Sequence, residues 1–164
     1  MLQNIYLSGN RLQSLQPAVF DELPSLWTLD LSRNRIKYLS RVPRGAFRNT
    51  PRVTRIDLHN NSISEVDVGA FEGVPQLHWL DLDNNDISSL PEGVFSPVPG
   101  LMYISLSGNR IAELSPGHFA GLTELQYLYA NNNRAQLQLH SRTFANLPHL
   151  QDIHLSSSNI RTLP

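Results

Sequence analysis

The sequence predicts an α/β solenoid, mostly β and loop: about seven short coils stacked side by side, each giving one strand to a parallel sheet. Three observations predict it. A set of apolar residues with one Asn returns at a period near 24 residues along the 164-residue chain. All six Phe residues fall in the second half of these units. Pro recurs just before most new units.

Each unit opens with the same spacing. Leu2, Ile5, Leu7, Asn10 and Leu12 return as Leu26, Leu29, Leu31, Asn34 and Ile36, and again from Val53, Leu77, Leu101, Leu125 and Leu150. The starts lie 24, 27, 24, 24, 24 and 25 residues apart. Positions 4 and 6 of a unit are apolar and alternate with polar residues, the period of a short strand with one buried face. Just after it, at position 9, stand Asn10, Asn34, Asn61, Asn85, Asn109 and Asn133. A buried Asn offers donors and an acceptor, so a stack of them satisfies turn backbone groups that would otherwise be orphaned. Ser158 holds this place in the seventh unit, with Asn159 one step late, so an irregular turn is expected there.

The second half carries Phe20, Phe47, Phe71, Phe95, Phe119 and Phe144, a column that stacking converts into an aromatic spine. Leu23, Val74, Val98, Leu122 and Leu147 follow three residues later. Pro24, Pro51, Pro75, Pro99 and Pro148 stop a long helix before the next strand, so each return is one helical or 3₁₀ turn. One unit alone buries too little apolar surface to offset the entropy of ordering its backbone, and stacking must supply the difference. Residues 1–164 read as one domain with no internal linker.

Composition narrows the function. Lys and Arg number 13 against 14 Asp and Glu, a formal net charge of −1, without the basic excess of a nucleic-acid or anionic-membrane binder. No apolar run is long enough for membrane insertion, and polar Gln3 and Asn4 after Met1 do not open a signal peptide. Cys is absent, which excludes disulfides, Cys-ligated zinc and thiol catalysis.

These units resemble the typical 24-residue class of leucine-rich repeats, LxxLxLxxNxLxxLxxxxFxxLxx, over essentially the whole chain. The class is similar to that of extracellular animal proteins: Toll-like receptors, Slit and Nogo-receptor ectodomains, lamprey variable lymphocyte receptors and small leucine-rich proteoglycans. The resemblance implies a right-handed horseshoe with the parallel sheet on its concave face and short 3₁₀ or loop returns on its convex face. It also implies an extracellular or cell-surface protein-binding module, not an enzyme. Extracellular members normally carry Cys-rich caps, which this sequence lacks. Two other readings follow from uncapped ends: a homodimer through the ends or the concave faces, or an excised or designed scaffold.

On such a fold the outward positions of the strands carry recognition, and two features stand out. Both Trp residues and four of the five Tyr fall there, and Trp79, Tyr103, Tyr127 and Tyr129 sit on successive coils. Aromatic residues pack well across neighbouring strands, but their concentration on one exposed face points to a protein ligand. The second feature is an acidic ladder, Asp30, Asp57 and Asp81, with Asp83, His59, His78 and Arg55 beside it. Like charges on adjacent strands repel, so the ladder suits a basic partner, or else is a solvated strip partly neutralised by Arg33 and Arg55. Zinc or calcium ligation by these groups is the weaker reading, because no compact ligand spacing is present.

Catalytic motifs are missing, and no cofactor is called for; a hydrolase built on Asp57, His59 and Asp81 is the remote alternative. Asn60-Asn61-Ser62 is a glycosylation sequon. A basic insertion around Arg41, Val42, Pro43 and Arg44, with Arg48 and Arg52 near it, is expected to lengthen a convex loop or to meet an anion such as a glycosaminoglycan. Gln138, flanked by Leu137 and Leu139, is expected to cause a bulge.

Overall fold

The computed structural model describes residues 1–16, 19–39 and 47–164, with the side chain of Leu39 left aside. The insertion at Arg41–Arg44 therefore lies outside the described residues.

Among the described residues eleven short strands follow one another: β1 (Asn4–Tyr6), β2 (Thr28–Asp30), β3 (Tyr38–Leu39), β4 (Arg55–Asp57), β5 (Glu65–Val66), β6 (Trp79–Asp81), β7 (Tyr103–Ser105), β8 (Glu113–Leu114), β9 (Tyr127–Tyr129), β10 (Gln138–Leu139) and β11 (Asp152–His154). Strands β1, β2, β4, β6, β7, β9 and β11 form one seven-stranded sheet in that order, all parallel. Its strands coincide with positions 3 to 5 of the seven units. The register aligns identical positions, so Leu29, Ile56, Leu80, Ile104 and Leu128 form one buried row. The rest of each coil makes the parallel crossover, and among the described residues the one helical turn is the 3₁₀ segment Pro116–Phe119.

The Asn column joins the coils. Asn34, Asn61, Asn85 and Asn109 each donate from Nδ2 to the carbonyl three residues before and to one in the preceding coil. Their Oδ1 atoms accept the N–H of Leu12, Ile36, Ile63 and Ile87 in the coil before. Ser158 performs part of this work: its buried hydroxyl donates to the Ala130 carbonyl at 2.7 Å and accepts from the Asn133 N–H at 3.4 Å.

The Phe column stacks as expected, Phe47 on Phe71 at 6.4 Å, Phe71 on Phe95 at 5.8 Å and Phe119 against Phe144 at 6.3 Å. After each Phe the chain makes a hydrogen-bonded turn into the next strand, such as Leu23 to Leu26, Val74 to Leu77 and Val98 to Leu101. Pro24, Pro75 and Pro99 hold its second position, where a fixed φ favours the turn. Opposite the main sheet, β3 pairs with β5 and β8 with β10, two small ladders the repeat pattern does not announce.

Gln138 differs from expectation. It lies in β10 with its side chain exposed, paired with Glu113, while Leu139 is aligned with Leu114. The extra residue of the sixth unit is taken up before the strand: the Arg134 N–H bonds to the Asn109 carbonyl, where Arg110 bonds one coil earlier to Ile87. Registry with the preceding coil is kept because a slip would turn the buried Leu137 and Leu139 outward.

Candidate functional site

The solvent face of the seven-stranded sheet is built from the residues that alternate with the buried rows. Four side chains on it form a continuous ring stack across four strands. Trp79 stacks on Tyr103 with ring centroids 5.1 Å apart, Tyr103 meets Tyr129 at 5.3 Å, and Tyr129 stacks on His154 at 4.5 Å. At the other end, the Arg55 guanidinium lies 3.3 Å over the Trp79 ring, a cation–π contact. The stack runs diagonally, because Tyr103 leans toward Tyr129 and not toward its register partner Tyr127. Tyr127 leaves the stack and donates its phenol to Gln151 Oε1 at 3.3 Å. Thus Trp79, Tyr103 and Tyr129 come together as the sequence suggested, Tyr127 stands beside them, and Arg55 and His154 complete the row. His154 occupies the same column as Tyr129 but is not among the site residues singled out from the sequence.

The carboxylates are less free than a charged ladder would be. Asp30, Asp57 and Asp81 each accept the backbone N–H two residues on, from Ser32 at 3.0 Å, His59 at 3.2 Å and Asp83 at 2.9 Å. Each therefore closes the turn that ends its strand, as Asp side chains do at turns. This structural work adds to the sequence reading of the ladder as a strip for a basic partner or for solvent. Asp30 is further held by the Ser32 hydroxyl at 2.7 Å. Asp57 is 8% exposed, receives His59 Nδ1 at 2.6 Å and has Arg55 at 3.6 Å. Asp83 accepts from the Ser105 hydroxyl and from the Ser107 N–H, the latter at 2.7 Å. His78 is half-buried at the entrance to β6 and outside this group.

Burial pushes the Asp81 carboxyl up from 3.8 to about 6, against the opposing Asp83 N–H, with Asp83 and Asp57 raising it further. Burial also raises Asp83, against the hydrogen bonds from Ser105 and Ser107. Tyr103 is raised chiefly by its burial in the stack. One ligand atom each from Asp57, His59 and Asp81 lies within 4.8 Å of the others. These three residues are the ones that could hold a cation, once their spacing contracted to ligation distances. In chemical terms the face combines flat aromatic surface, one guanidinium and a half-buried carboxylate group.

A further regularity went unread in the sequence. Position 8 of each unit, just after the strand, is left-handed: Gly9, Arg33, Asn60, Asn84, Gly108, Asn132 and Ser157 all have φ between 53° and 75°. The recurrent Gly and Asn of that column were the available signal.

The leucine rich repeat family matches residues 1–42, 37–87 and 75–134. No curated protein sequence matches the chain. Among solved structures, the crystal structure of a TLR13–ssRNA13 complex superimposes with a TM-score of 0.83 at 32% identity, over 94% of this chain. The match spans 21% of the length of that receptor chain.

Proposed function

This chain belongs to the leucine-rich repeat family, and from that premise we propose that it is a receptor-type recognition module that binds a protein ligand on the face of its seven-stranded sheet. The observation that carries this reading is the row from Arg55 through Trp79, Tyr103 and Tyr129 to His154. Pre-stacked rings lose little side-chain entropy on binding, and Trp, Tyr and Arg dominate the energetics of protein interfaces. The ligand of the similar receptor is an RNA, and aromatic rows also stack bases. Here Asp57, Asp81 and Asp83 adjoin the row, and they favour a ligand with basic side chains over a phosphate backbone. Such a module fits the extracellular or cell-surface side of a membrane, as its relatives among receptors imply.

The test is affinity capture from secreted proteins with three baits: the parent chain, a Trp79→Ala/Tyr103→Ala variant and a Tyr38→Ala control. Tyr38 is exposed but lies in β3, outside the main sheet. A ligand held by the parent and control but lost from the double variant, with the fold intact by circular dichroism, supports the reading. Retention by all three baits sinks it.

A further inference from the structure

The near-neutral total conceals a division along the solenoid. Residues 1–55 hold nine of the 13 Lys and Arg against three of the 14 Asp and Glu, whereas residues 56–164 hold four against eleven. Within the first two coils Arg11, Arg33, Arg35 and Lys37 are all exposed. Arg33, Arg35 and Lys37 alternate with the buried Asn34 and Ile36, so they project outward from one segment. The Arg35 N–H donates to the Leu12 carbonyl at 2.8 Å and the Lys37 N–H to the Gln13 carbonyl at 3.3 Å, which lays this segment against that of Arg11. Adjacent coils lie about 5 Å apart. Four cations therefore share a small area on the flank of the solenoid, away from the aromatic row.

Nothing among the described residues repays them. None of the four forms an ion pair among the described residues. Four and five coils further on from Arg11, Arg110 and Arg134 occupy its column, and they share Asp86 at 3.0 and 3.6 Å. Arg33 carries a second penalty. Its φ of 53° places an Arg where five other coils use Gly or Asn, and a left-handed backbone costs Arg more than either. Mutual repulsion and backbone strain without a partner in the fold are what a group held for an anionic ligand leaves behind.

We propose that this flank is a second binding site, for a sulfated polysaccharide. Gln13, Asn60, Ser62 and Ser64 surround the cations in the same columns, and their amides and hydroxyls match sugar hydroxyls. Positions 8, 10 and 12 carry no aromatic side chain in any described coil, so these columns form no row on which to stack bases, and the exposed ring beside Lys37 is the single Tyr38. The flank has no apolar wedge to enter a lipid surface either. An N-glycan on the exposed Asn60, one coil from Arg33 in the same column, would border the site.

The experiment measures binding of the full chain to a heparin decasaccharide at several salt concentrations. A single-stranded oligodeoxynucleotide and phosphatidylserine vesicles serve as competing polyanions. The parent should bind the decasaccharide with an affinity that falls as salt rises. Arg33→Asn/Arg35→Gln should lose about tenfold or more, and Arg110→Gln/Arg134→Gln less than about twofold, because Asp86 already engages those two. Arg33→Asn installs the residue of neighbouring coils, so its thermal midpoint should hold or rise while binding falls, a split that a structural role for Arg33 would not give. Equal losses in the two double variants, or no loss in either, would overturn the proposal. So would tighter binding of the oligonucleotide or the vesicles than of the decasaccharide.

Discussion

Asp81→Asn should make the protein more stable at neutral pH. Asp81 is held half-buried among carboxylates, and its carboxyl is raised from 3.8 to about 6. The folded protein then binds this proton more tightly than the unfolded chain does. Between pH 3.8 and about 6 the native state carries the extra proton, so stability falls as pH rises through that window and stays lower above it. At roughly 1.4 kcal/mol for each tenfold change in proton affinity, the whole effect is about 3 kcal/mol. Solvent screening of a half-exposed group reduces it to about 1–2 kcal/mol. Asn keeps the Oδ1 that accepts the Asp83 N–H at 2.9 Å, so the turn survives the substitution. Urea denaturation of parent and variant at about pH 4 and about pH 7.4 reads this group with its coupling to Asp83 and Asp57, since titrations remote from it cancel in the difference. The variant should gain about 1–2 kcal/mol at the higher pH and little at the lower. A variant less stable than the parent at neutral pH, or an equal gain at both, would show that Asp81 is not destabilised by its surroundings. If the gain is found, a destabilising carboxylate sits beside the aromatic row, as expected of a group retained for recognition.

Three further outcomes follow from the packing. Asn109→Ala removes a fully buried side chain that satisfies Leu82 O, Leu106 O and the Ile87 N–H. It should cost about 3–5 kcal/mol in chemical denaturation, whereas Asn10→Ala, exposed and with one bond to Leu7 O, should cost under about 1 kcal/mol; equal costs would refute the account of the Asn column. Phe71→Ala empties the middle of the stack between Phe47 and Phe95 and should cost about 3–5 kcal/mol, read as a lower thermal midpoint. Gly73→Ala places a Cβ 2.7 Å from the Phe47 carbonyl oxygen at a φ of +95°. It should destabilise by about 2 kcal/mol or more, against about 1 kcal/mol for Gly9→Ala, where the φ is +75° but the space is open; the same denaturation curves compare the two.

The sequence by itself determined the coil. Each structural position recurs every 24 residues or so, and one physical demand repeats with it: an inward apolar row at Leu29, Ile56 and Leu80, an Asn at each turn, a Phe in each return. Any column obeying such a demand is legible, and the left-handed position 8 was legible too, through Gly9, Asn60, Asn84, Gly108 and Asn132. Tertiary structure alone decided how neighbours in the non-repeating columns use one another. The sequence placed Tyr103 in one column with Tyr127, and side-chain packing turned it to the diagonal Tyr129. It placed three aspartates in a ladder, and the backbone amides at each turn absorbed part of their charge. It assigned Gln138 to a bulge, and the preceding coil's registry moved the extra residue upstream. The physical reason is common to all three. Column membership is fixed by a residue's own backbone, whereas rotamer, hydrogen-bond partner and protonation are fixed by neighbours in space, some a turn amide two residues on and others about 24 residues away in the chain and about 5 Å away in space.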